Sequence, residues 1–134
     1  MITEDYVSFE VAKLLKEKGF NEATNRYYNA QYDEIRTVSD TFMTYWNNED
    51  HMKVLMMEGA LAIPTHQMAM KWLREKDIEC VVIPVWNTIG KQYRSYVLSD
   101  LGDKYKDNYD SYSDNISYEE AVEAALKYCL ENLI

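Results

Sequence analysis

Leu14-Leu15-Lys16-Glu17-Lys18-Gly19-Phe20 reads onto Trp72-Leu73-Arg74-Glu75-Lys76-Asp77-Ile78 at a constant offset of 58, and the same offset carries Tyr28-Asn29 onto Trp86-Asn87 and Arg36 onto Arg94. Self-similarity at a fixed spacing restricts architecture more than any single motif, because each copy must fold into the same kind of unit. Five pairs are identical over the window: Leu15/Leu73, Glu17/Glu75, Lys18/Lys76, Asn29/Asn87 and Arg36/Arg94.

Each copy begins with a helical pattern. Ser8-Phe9-Glu10-Val11 supplies a cap, Val11, Leu14 and Leu15 recur among Lys13, Lys16 and Glu17, and Gly19 provides a left-handed stop. The second helix follows Ile63-Pro64-Thr65, carries Met68, Ala69, Trp72 and Leu73 as its apolar stripe and ends near Lys76, with His66 exposed in its first turn. Strand-like sequence follows each helix. Ile78 to Trp86 is β-branched and aromatic, Asn87-Thr88-Ile89-Gly90 makes a turn, and Gln92 to Leu98 returns as a partner strand. Pro84 lacks a ladder donor, which places its strand at an edge or a bulge. The offset puts the matching first hairpin at Ala23–Tyr28 and Tyr32–Arg36, turning at Asn29-Ala30-Gln31. The clearest element is the last. Ser117-Tyr118-Glu119-Glu120 is a capping box, and Val122, Ala125, Leu126, Cys129, Leu130 and Leu133 then recur at helical spacing.

Neither an amphipathic helix nor a one-faced hairpin buries its apolar side alone. The expected fold is therefore α+β and two-layered: one four-stranded antiparallel sheet built from two helix–hairpin repeats (αββ-αββ-α), with helices on one face. At 134 residues the chain is expected to form a single domain, 1–134, that buries about two-thirds of its unfolded surface without a disulfide or structural metal. Its divisions are the repeats 8–36 and 66–94, a linker 37–62, an acidic tyrosine-rich loop 99–116 and the helix 117–133. A connection as long as 37–62 needs structure of its own or a task. It carries Tyr45, Trp46, Met56 and Met57, either as a contact surface or as a linker helix or plug packed on its own sheet.

Chemistry-bearing signals are sparse. No apolar run reaches the ~18–20 residues of a membrane span, and the acidic start Met1-Ile2-Thr3-Glu4-Asp5 does not read as a secretory signal, so the expected location is the cytoplasm. The net charge of −9 disfavours direct nucleic-acid binding and suits a basic protein partner through long-range steering. Cys80 and Cys129 read as small buried hydrophobes, with a disulfide or redox pair as the alternative. His51 and His66 have no zinc-type spacing. The aspartates around Asp107 miss the calcium-loop alternation, and Glu119 and Glu120 are accounted for by the cap. No metal, cofactor or catalytic residue is expected. Aromatic residues outside a core enrich contact surfaces, which singles out Tyr45, Trp46, Met56 and Met57, and beside the hairpin turns Tyr28 and Trp86.

The opening Ile2–Phe20, the middle Pro64–Glu75 and the ending Tyr118–Leu130 resemble a group of small uncharacterised proteins of Bacteroides-type gut bacteria and of their phages and prophages. The resemblance covers the three helices. It implies a bacterial cytoplasm and a phage-infection context, and it carries over neither an activity nor functional residues. The leading expectation is a non-enzymatic phage or prophage accessory protein that binds a host protein through the linker and acidic surface. The alternative is a small-ligand binder that sequesters a nucleotide by stacking its base on Tyr28 or Trp86. A hydrolase with a pocket joining Cys80, His66 or the glutamates ranks last.

Overall fold

The computed structural model describes residues 2–99, 109–110 and 117–134. The rest of the acidic segment 99–116, with Asp103, Asp107 and Asp114, lies outside the described residues. The chain divides into two compact units, Met1–Thr65 and His66–Ile134.

In the first unit, α1 (Phe9–Glu17) starts where Ser8 Oγ accepts the Val11 N–H at 3.2 Å. It stops at Gly19, whose φ of +95° only glycine adopts freely, and the Gly19 and Phe20 amides close the last turn on the Lys16 and Leu15 carbonyls. Val11, Ala12 and Leu15 are its buried stripe. The hairpin β1 (Arg26–Asn29) and β2 (Glu34–Thr37) is joined by a short third strand, β3 (Leu61–Ala62), in the antiparallel order β2-β1-β3. Tyr27 faces Arg36 on one side and Ala62 on the other. Helix α1 packs against β3.

The first unit also holds the short α2 (Glu49–Val54), and the second unit holds α3 (His66–Arg74), the long ribbon β4 (Ile78–Asn87) and β5 (Gly90–Ser99), a two-residue β6 (Tyr109–Asp110), and α4 (Tyr118–Asn132). The sheet order is β4-β5-β6, which leaves β4, with Pro84, on an edge among the described residues. Helix α4 begins where Ser117 Oγ accepts the Glu120 N–H at 3.1 Å. It buries Ala121, Val122, Ala125, Leu126, Cys129 and Leu130 against β4 and β5, a stripe of helical period. Helix α3 lies on β4 and buries Ala69, Trp72 and Leu73. His66 is in its first turn as expected but is buried, not exposed.

The α+β class and the antiparallel hairpins are observed, but the single four-stranded sheet is not formed. The hairpins belong to separate three-stranded sheets among the described residues. The reason is competing strand pairing: β1 takes β3, drawn from the 37–62 connection, as its second neighbour, and β5 takes β6. Neither pairing shows in a sequence pattern, because two residues have no period. Asn29 and Asn87 do the same work in the two hairpins, each accepting through Oδ1 the amide N–H two residues on, Gln31 at 3.0 Å and Ile89 at 2.9 Å. Beyond that point the offset slips. The first loop spans 30–33 and the second only 88–89, so Arg36 pairs with Tyr27 whereas Arg94 pairs with Ile83. Among the described residues no helix is long and apolar enough to cross a membrane.

Candidate functional site

The 37–62 connection is an ordered part of the first unit. Thr24 and Thr44 exchange backbone hydrogen bonds at 3.1 and 3.2 Å, which draws the segment onto the chain ahead of β1. Trp46 then stacks on Tyr27, with ring centroids 3.7 Å apart and planes 12° from parallel, and its indole N–H donates to the Thr24 carbonyl at 2.8 Å. Asn47 bonds to two backbones, donating to the Phe20 carbonyl at 2.8 Å and accepting from the Ala62 N–H at 2.9 Å. That amide therefore helps to place β3.

Asn48 caps a short helix, α2 (Glu49–Val54), by accepting the His51 N–H. The acidic residues Glu49 and Asp50 in its first turn complement the helix dipole. The helix ends in a Schellman turn: the Met57 amide donates to the Met52 carbonyl at 2.8 Å and the Met56 amide to the Lys53 carbonyl at 3.2 Å. This is the same closure as at Gly19, but the left-handed position is held by Met56, at φ +57°. The Gln31 side-chain amide donates to the Met56 carbonyl at 2.7 Å, so the turn rests on the β1–β2 loop. Gly59 (φ +80°) completes that approach, since a Cβ there would come within 3.2 Å of the Ala30 methyl.

Two features meet along α2. One is a cavity of about 210 Å³ lined by Lys16, Trp46, Glu49, Met52, Lys53, Glu58, Gly59 and Ala60. Trp46, Met52 and Ala60 are its buried lining, while Glu49, Lys53 and Glu58 are exposed. Lys16 donates to the Ala60 carbonyl at 3.2 Å. The other feature is the turn itself, where Val54 and Met56 are 79% and 80% exposed and Leu55 is also in solvent. The cavity has an apolar floor of Trp46, Met52 and Ala60 below charges of both signs. Its volume falls short of the ~300 Å³ at which small-molecule pockets begin.

The sequence-predicted residues divide accordingly. Tyr45 and Met56 are exposed, Met57 is half-buried, and Trp46, at 6% exposure, is a core residue rather than a surface one. Tyr28 lies edge-on to Phe9, centroids 5.0 Å apart, and its hydroxyl donates to Asp33 at 2.6 Å. That hydrogen bond, helped by slight desolvation and the Asp33 charge, raises the phenol pKa above its ordinary value. Trp86 belongs to the second unit, 72% exposed at the end of β4 with the Lys91 ammonium over its ring. Lys16, Glu49, Lys53 and Glu58 were missed by sequence reasoning. The one available signal was Asn48-Glu49-Asp50, a cap followed by an acidic first turn.

Elsewhere, His66 Nε2 sits 2.9 Å from Glu123 Oε1. Cys80 and Cys129 are both buried with their sulfurs 3.7 Å apart. Among the described residues no three His, Cys, Asp or Glu side chains are grouped to hold a metal ion. No protein-family model, no curated protein and no solved structure matches the chain.

Proposed function

We propose that this protein is a non-enzymatic accessory protein of phage or prophage type that binds a basic host protein in the bacterial cytoplasm, using α2 and the turn after it. The observation that carries the reading is Met56: an apolar side chain held in a left-handed turn position, 80% exposed, beside a niche sized for one side chain. Backbone strain and exposed apolar area at one place are features of contact surfaces more than of packing. A lysine or arginine of the partner would lay its methylenes on Trp46 and Met52 and bring its charge to Glu49 and Glu58, in keeping with the net charge of −9. The niche is small for a nucleotide, which weighs against the sequestering alternative at this site.

The test is capture from gut-bacterial lysate with wild type, with a Met56→Glu variant and with a Glu49→Lys, Glu58→Lys variant. Trp46 is left intact because it belongs to the core. The reading expects one or more proteins retained by wild type and lost from both variants, and the same set recovered with all three sinks it.

The two helix–hairpin segments are read as copies of one ancestral module, supported by the matching turns at Asn29 and Asn87. Homologous sequences in which the offset identities vanish would count against that origin.

A further inference from the structure

The chain has two cysteines, and the second unit brings them together from 49 positions apart. Cys80 is the third residue of β4, directly opposite Val97 on the face that α4 covers, and Cys129 lies on the inner face of α4. Their sulfurs are 3.7 Å apart, one acting as thiol donor to the other. Cys129 is fully buried, while Cys80, also buried, keeps 9% of its surface in solvent and is the more accessible of the two. On the same sheet face, in the next pair along (Val82 opposite Ser95), the buried Ser95 hydroxyl has no hydrogen-bond partner among the described residues. A buried orphan hydroxyl is unfavourable in an otherwise apolar layer. The sheet face next to the two thiols thus keeps an unused polar group.

We propose that Cys80 and Cys129 form a thiol–disulfide exchange site whose substrate is a low-molecular-weight disulfide of the glutathione type. Cys80 is the entry thiol. Its thiolate attacks one sulfur of the small disulfide, the S–S bond breaks, and one small thiolate leaves, giving a mixed disulfide on Cys80. Cys129 then gives up its proton and attacks the Cys80 sulfur, forming the Cys80–Cys129 bond and expelling the second small thiolate. In sum the two protein thiols lose two electrons and two protons, and the small disulfide is reduced to two thiols. The last bond requires the sulfurs to close from 3.7 Å to about 2.05 Å. The product joins β4 to α4, the two elements that enclose the core of this unit.

The division of roles agrees with the electrostatics. The hydrogen bond from the Cys129 thiol favours thiolate on Cys80 and lowers its pKa, with Arg74 assisting against burial and Glu79. The same bond, together with burial, pushes Cys129 well above the ordinary thiol range. A thiol of lowered pKa at the more accessible position and a fully buried resolving thiol behind it is the arrangement that exchange requires.

The experiment incubates the folded, reduced full-length protein with excess oxidised glutathione and follows free thiols, intact mass and melting temperature. The expected result is loss of both thiols, a mass two hydrogens lower, no retained glutathione, and a melting temperature several degrees higher that dithiothreitol reverses. Cys129→Ala is expected to stop at one glutathione adduct on Cys80, and Cys80→Ala to leave Cys129 unmodified while folded. The proposal is overturned if both wild-type thiols stay free under conditions that oxidise the denatured chain. It is equally overturned if adducts form on either cysteine without an internal bond. The wild-type measurement decides the matter even where a variant does not fold.

Discussion

Met56 occupies a position that α1 gives to Gly19. Both close a helix by the same pair of backbone bonds, yet Met56 accepts a left-handed φ that costs an L-residue on the order of 1 kcal/mol. Its exposure leaves no packing to offset that cost. Met56→Gly is therefore expected to hold or raise stability, by up to about 1 kcal/mol in denaturant titration, while partner capture weakens. A loss of more than about 1 kcal/mol would show instead that the side chain packs. Trp46 is the opposite case. From sequence it is an aromatic residue in a polar stretch, and nothing in its neighbours distinguishes contact from core. The stacking on Tyr27 and the bond to the Thr24 carbonyl that make it core come from residues about twenty positions away. His66 illustrates the same point, since the half-buried Glu123 that faces it is 57 positions distant.

Among elements, those with caps and periods were readable in advance. Helix α4 begins at Ser117 and buries the stripe its spacing predicts as far as Leu130, with Leu133 half-buried at the cap, and α1 begins at Ser8 and ends at Gly19. A local hydrogen bond explains each boundary, which is why neighbouring residues suffice to find it. Removing the Ser117 bond by Ser117→Ala is expected to cost about 1 kcal/mol and to speed amide exchange in the first turn of α4, read by hydrogen exchange. The turns at Asn29 and Asn87 were similarly legible, but loop lengths were not, and a two-residue difference in loop length shifts the register of everything after it. A helix within the 37–62 connection is one of the two readings its sequence allows, and α2 is that helix. The strands β3 and β6 have two residues each, too few for hydrophobic period to act as a signal.

For the molecule as a whole, a net charge of −9 means that like charges repel in the compact state. Added salt screens that repulsion, so the melting temperature is expected to rise by a few degrees between low and physiological ionic strength. Association with a basic partner is expected to slow over the same range. A melting temperature that falls with salt would show attractive pairs to dominate. The α+β class, the helix boundaries and the antiparallel hairpins follow from sequence alone, because caps, turn asparagines and apolar periods act within a few residues of one another. The division into two sheets, the burial of Trp46, the niche beside α2 and the meeting of Cys80 with Cys129 were decided only in three dimensions. Each depends on which distant segment packs against a given strand edge or core face, and that choice leaves no mark on local spacing.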